Sequence, residues 1–188
     1  MGLPDKAVDE AKERVRSALR NSGADFPARR ITVNLAPADL PKEGPAYDLP
    51  IAIGMLIASG QLQVNIEDSL FAGELSLDGR VRPITGVLLK ALMAKEKGIK
   101  RLFVPEANAK EAAIVSGIAV YPVKSLLSLF QHLANQQPLQ PIETITYSDR
   151  VIPDNFDFDM QDIKGQQLAK RALDISPSYS EELRLAFF

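Results

Sequence analysis

From Ile84 onward, helical and extended patterns alternate, and nearly every change of pattern is marked by Gly or Pro. A helical pattern over 86–97 stops at Gly98. A strand-like run over 101–104 stops at Pro105, and a second helical pattern over 108–116 stops at Gly117. A short strand, 118–121, and a last helix, 125–134, follow. Strands separated by helices cannot be closed by a tight turn, so this order predicts parallel pairing of 101–104 with 118–121. Just upstream, Asp78-Gly79 lies between alternating stretches within 69–84, which predicts an antiparallel hairpin over that range.

The first third is simpler. Val8, Ala11, Val15, Ala18 and Leu19 recur at helical spacing, with Pro4 suited to a first turn and Gly23 after the last periodic residue, so 4–22 reads as a helix. Its other face carries Glu10, Arg14 and five further charges and reads as solvated, with Glu10–Arg14 a favourable pair. Residues 30–35 place Ile31, Val33 and Leu35 on one side, a half-buried strand. Residues 49–59 read as an apolar helix, which Pro50 can enter only in its first turn.

Composition narrows the chemistry. The 188 residues contain no Cys and one His, His132, which removes disulfides and thiolate sites and leaves no ordinary His-dependent triad or His-rich metal site. His132 reads as a surface or core-margin imidazole among Leu129, Phe130 and Leu133. Net charge is −2, so no bulk positive charge signals nucleic acid. No apolar run reaches the ~20 residues of a membrane span, and the start lacks a signal-peptide core, so a cytoplasmic protein without membrane partners is expected.

Two places could hold chemistry. Residues 36–50 contain four Pro and one Gly in a stiff loop. Such a loop fits both a functional segment and a rigid connector whose Asp48 caps the following helix. Lys90 is the only charged residue from Ile84 to Ala94. Its stem must cross apolar surface, either as a snorkelling side chain or as a desolvated base.

Pro41-Lys42-Glu43-Gly44-Pro45-Ala46 resembles the Pro-Lys-Asp-Gly-Pro-Ser loop of Lon-type proteases. Gly73-Glu74-Leu75-Ser76-Leu77-Asp78-Gly79-Arg80-Val81-Arg82-Pro83-Ile84 resembles the Lon hairpin ahead of the catalytic Lys. Gly98-Ile99-Lys100, Val104-Pro105-Glu106 and Asn108 continue the match in order. The resemblance implies an α+β Lon-protease-like domain of the general fold of ribosomal protein five domain two. By register Ala46 stands at the nucleophilic Ser and Lys90 at its base. A methyl group cannot attack a carbonyl, and Ser59, Ser69 and Ser76 are not at the matching place, so the pair reads as a relic without peptidase activity. Ala46 and Lys90 are expected within about 8 Å of each other. Tyr47 and Asp48 are expected to crowd the site, with Asp48 repelling an oxyanion.

A second resemblance covers nearly residues 2–175. Gly2-Leu-Pro-Asp-Lys-Ala-Val8, Pro27 to Asp39, Tyr47-Asp-Leu-Pro-Ile-Ala-Ile53 and Gln161-Asp-Ile-Lys-Gly-Gln166 are similar to the ComM/YifB family, the magnesium-chelatase-like branch of AAA+ ATPases. It implies a Lon-like domain over 1–135 with N-terminal strands missing, a linker over 136–153, and a truncated start of an AAA+ module over 154–188. No G-x-x-x-x-G-K-[ST] occurs in the sequence. ATP and Mg are therefore expected only of the complete parent, a DNA-acting ring motor of competence and recombination that assembles as a hexamer, and no cofactor is expected here. The partners this implies are the AAA+ module, DNA and further copies. Other readings are a hydrolase using Lys90 with another nucleophile, and a nucleic-acid-binding module using Arg29, Arg30, Arg80, Arg82, Lys97, Lys100 and Arg101.

Overall fold

The computed structural model describes residues 6–27, 31–33 and 45–145, all within the unit Met1–Asp149. Arg29, Arg30, the loop residues 34–44 and the residues after 145 lie outside the described set. Helix α1 (Lys6–Asn21) is followed by a 3-10 turn (Pro45–Tyr47), α2 (Asp48–Ala58), β1 (Ser69–Phe71), β2 (Glu74–Leu75), β3 (Val81–Arg82) and α3 (Val87–Glu96). Then come β4 (Arg101–Pro105), a 3-10 turn (Glu106–Asn108), α4 (Ala109–Ala112), β5 (Ala119–Val123) and α5 (Leu126–Leu133).

Strands β1, β4 and β5 form a parallel sheet with β4 in the centre, its Leu102 opposite Leu70 and Val120. Successive side chains on a strand point to opposite faces. Leu102 and Val104 accordingly join Val120, Val87, Ala91, Ala94 and Ala112 in one cluster under α3 and α4. Phe103 points the other way, into a cluster with Val15, Leu19, Ile53, Leu56, Leu126 and Leu129 from α1, α2 and α5. A strand covered on both faces reads as a continuous apolar run, as 102–104 does.

The expected hairpin divides in two. Only β2 and β3 pair antiparallel, Glu74 with Arg82 and Leu75 with Val81, while Ser69–Phe71 belongs to the parallel sheet. The cause is at Gly73, where an added Cβ would lie 2.7 Å from Val81 Cγ1 and 3.3 Å from Leu49 Cδ2. The backbone there passes too close to its neighbours to continue an ordinary strand. Gly79, at φ 83°, supplies the left-handed residue of the turn, whose N–H donates to Ser76 O at 2.9 Å.

Two further expectations fail. Of the strand expected over 30–35, residues 31–33 are described and are not in a strand; Ile31 and Val33 are 37% and 49% exposed and no described backbone group bonds to them, while Arg30, Asn34 and Leu35 lie outside the described residues. The helix expected over 108–116 is confined to Ala109–Ala112, and Asn108, in the 3-10 turn before it, clamps the chain after the hairpin. Its Oδ1 accepts from Ile84 N at 2.9 Å and its Nδ2 donates to Ile84 O at 3.0 Å.

The Pro-rich stretch after Asn135, read as a linker, has no buried residue over 136–145 and is tied to the domain at three points as far as it is described. Leu139 N–H donates to His132 Nδ1 at 3.0 Å, Ile142 bridges Val120 on the edge strand, and Ile145 N–H donates to Ala113 O at 3.0 Å. The His132 ring lies 5.5 Å from Phe103 and 5.1 Å from Tyr121. Burial, and secondarily Arg101, push its imidazole below the ordinary value of 6.5. A depressed histidine favours the neutral form in the fold, so stability is full above 6.5 and falls as pH drops below it. Protonation at Nδ1 also removes the acceptor for Leu139. Thermal melts of the wild type should therefore lose stability between pH 7 and about 5, and His132→Phe should flatten that slope; equal slopes would contradict the arrangement.

Candidate functional site

The site is built where the turn into α2 meets the start of the β2–β3 hairpin. Pro45 and Pro50 flank the entry to α2, and both positions suit a chain that must turn and then go helical at once. Ala46 O accepts from Gly73 N at 3.1 Å, and Gly73 O accepts from Leu49 N at 3.1 Å. These two bonds clip the turn to the hairpin, and the missing side chain at Gly73 is what permits the approach.

Asp48 is the anchor. It is 1% exposed, and its carboxylate accepts from Arg14 Nε at 2.7 Å, Arg14 Nη2 at 3.2 Å and Leu75 N at 3.2 Å. It thus ties α1, α2 and β2 together. It does not cap α2, whose N-cap is Tyr47 with no side-chain cap bond. Nor does it crowd a reaction space as an uncompensated charge, because it is turned inward onto a guanidinium. The Asp48 hydrogen bond and charge hold the Arg14 guanidinium above its ordinary pKa against the opposing effect of burial. Arg14, read from the sequence as part of a solvated face, is the one member of that face drawn into a bidentate buried pair; its contact with Glu10 is the looser one at 3.8 Å.

Ala46 packs against the cluster that contains Ile84, Val87 and Ala91, and so against the cluster into which the inward side of α3 also packs. Lys90 stands on that helix, half-buried, with Nζ donating to Thr85 O at 3.2 Å. Gly86 opens α3 at φ 70°, a left-handed conformation that favours glycine, and a Cβ there would be in ordinary contact with Lys90 Nζ at 3.7 Å. The amine is engaged as a donor to backbone. Ser76 Oγ donates to Asp78 and lies 3.0 Å from Arg80 O, and Ser59 Oγ, at the far end of α2, donates to Leu56 O at 3.2 Å.

Arg29 and Arg30 lie outside the described residues, and the described basic residues do not form one group. Arg80 and Arg82 lie on the hairpin beside the C-terminal ends of the parallel strands, where Val81 N donates to Lys124 O. Lys100 and Arg101 lie at the opposite end, bonded through their backbone N–H groups to Asp68 O. β4 separates the two groups by five residues, about 16 Å at 3.3 Å per residue. Arg80, Arg82 and Arg101 each meet a carboxylate, Asp78 at 2.7 Å, Glu74 at 3.6 Å and Asp68 at 3.0 Å. Lys97 and Lys100 meet none among the described residues.

Sequence reasoning missed the Arg14–Asp48 pair and the roles of Asn108 and His132. Asp48 carried a usable signal, a lone acid at the head of an otherwise apolar helix, which requires either a cap or a buried partner.

The family model for subunit ChlI of Mg-chelatase matches residues 1–108. The chain is 45% identical over 188 residues to the competence protein ComM of Haemophilus influenzae and 38% identical over 186 residues to YifB of Escherichia coli. These alignments cover 97% and 98% of this chain but 36% of either relative. It is 30% identical over 146 residues to the Lon protease of Brucella suis, covering 73% of this chain and 18% of that protein. The domain is thus Lon-like in sequence as well as in its mixed helix-and-strand construction.

Proposed function

From the premise that this chain belongs to the ChlI-type magnesium-chelatase family in its ComM and YifB branch, we propose that it forms a non-catalytic Lon-like platform within a larger ATP-driven machine. The complete protein, on this reading, is a ring-forming motor acting on DNA during competence and recombination, in keeping with the name of its Haemophilus influenzae relative. The residues present do not fit a nucleotide. No stretch of the 188 residues combines a Gly-rich run of N–H donors with a following Lys-Ser or Lys-Thr. ATP and Mg are assigned to the rest of the complete protein.

One observation carries the non-catalytic reading. Ala46 occupies the register position of the Lon nucleophile, and its methyl group has neither a lone pair to attack a carbonyl nor a proton to give to a base. Lys90, the partner position, engages its amine with Thr85 O. A fluorophosphonate probe, which phosphonylates activated serines with loss of fluoride, should leave the chain unlabelled and should leave Ala46→Ser unlabelled as well. Labelling of the wild-type chain that disappears in Lys90→Ala would overturn this reading in favour of a lysine-dependent hydrolase.

A further inference from the structure

Helix α3 is apolar on two opposite sides. Val87, Ala91 and Ala94 are buried against the sheet. Leu89, Leu92 and Met93, at i, i+3 and i+4, form a second stripe on the outer side, where they are 71%, 38% and 39% exposed. A helix that is hydrophobic all round is ordinarily an interior helix, and contiguous exposed apolar residues mark contact surfaces.

Charge frames this stripe. At about 100° per residue, Lys90 and Lys97 fall on one flank and Lys95 on the other. None of the three meets a carboxylate among the described residues, whereas Arg14, Arg16, Arg80, Arg82 and Arg101 all do. Lys90 Nζ rests on Thr85 O and Lys95 Nζ lies 3.5 Å from Ser116 Oγ, neither of which neutralises it. Glu96 is the only acid on the outer side of the helix.

We propose that this face docks an acidic amphipathic helix of a polypeptide outside this chain. Its aliphatic side chains seat on Leu89, Leu92 and Met93, and its flanking carboxylates meet Lys90, Lys95 and Lys97. The stripe selects polypeptide over nucleic acid. Leu and Met give no aromatic plane for base stacking, whereas an aliphatic ridge with adaptable Met is what a helix-on-helix contact uses. Lys90 then has a role as part of a docking rim, independent of whether the Ala46 position ever carried a nucleophile.

The test is fluorescence anisotropy on the whole chain with a labelled synthetic helix of about four turns, Leu at i, i+3, i+4 and i+7 and Glu on both flanks. A second helix carries Lys in place of Glu, and a short DNA duplex serves as the third probe. The acidic helix should bind, the basic helix at least ~10-fold more weakly. Lys90→Glu with Lys97→Glu should reverse that order, and Leu89→Ser with Met93→Ser should weaken the acidic helix ~10-fold or more. Leu89→Gln, at the most exposed position, gives the same reading if the double Ser variant lowers the melting temperature. The proposal is overturned by absence of binding, by equal affinity for both helices, or by capture of the duplex through the same residues. Self-association abolished by Leu89→Gln would overturn it too, since a second copy would then be the occupant.

Discussion

Asp48→Ala should destabilise the fold by about 3–5 kcal/mol, read as a fall in the urea midpoint at constant slope. The substitution removes the acceptor for two Arg14 N–H groups and for Leu75 N at once. It leaves a guanidinium whose side chain is 22% exposed with only the looser contact to Glu10 at 3.8 Å. Asp48→Asn should fall between Ala and wild type, because the amide oxygen still accepts one of the bonds but carries no charge. The double variant Arg14→Met, Asp48→Leu should recover most of the loss, since replacing both members of a buried pair by apolar groups is often close to neutral. It should retain a deficit of about 1–3 kcal/mol from the orphaned Leu75 N–H. A loss below about 1 kcal/mol for Asp48→Ala would mean that the pair is solvated and that α1 is held to the hairpin by packing alone.

Phe103→Ala is expected to cost as much, about 3–5 kcal/mol, by a different route. Phe103 is 0% exposed in the middle of the central strand. Its ring is stacked at 4.8 Å on Phe71 of β1 and at 4.8 Å on Tyr121 of β5, so one side chain spans all three parallel strands. Its removal takes away the transfer energy of a buried ring and two cross-strand stacks, and the three-layer packing prevents the hole from closing. Leu127→Ala, at a position 41% exposed on α5, is the control and should change stability by no more than about 0.5 kcal/mol. Equal effects at the two positions would contradict the assignment of the core.

The order of helices and strands in the second half was legible because Gly and Pro mark its changes of direction, such as Gly98 at φ 70° and Gly117 at φ 89°, although α4 already ends at Ala112. The parallel pairing of β4 with β5 followed from the intervening helix. The partner of β1 was not legible. Ser69–Phe71 and Glu74–Leu75 read as one run toward Asp78-Gly79, and only the contact of Gly73 with Val81 and Leu49 separates them into two sheets. That contact is tertiary, and no local pattern encodes it.

At the site, ordered motifs located Ala46 and Lys90, because loop and hairpin chemistry is written in Pro, Gly and Asp at fixed offsets. The Arg14–Asp48 pair spans 34 residues, and a helix with mixed charges gives no sign of which cation turns inward. The basic residues named for nucleic acid show the opposite limit. Arg80 lies on the hairpin, bridged to Ser125 beyond the end of β5, and Arg101 at the start of β4, and each faces its own carboxylate. Proximity in sequence said nothing about a common surface.

The central claim, that a Lon-like scaffold here carries no peptidase chemistry, is tested most directly by turnover of an unstructured fluorogenic peptide. The whole chain, Ala46→Ser and Lys90→Ala should be compared at equal concentration. The account predicts the same blank-level rate for all three, because the wild type has a methyl group at the register position of the Lon nucleophile, and the Lys90 amine that a serine there would need as its base is engaged with the Thr85 carbonyl. Turnover by the wild type that Lys90→Ala abolishes, or a large rate gained on Ala46→Ser alone, would contradict it.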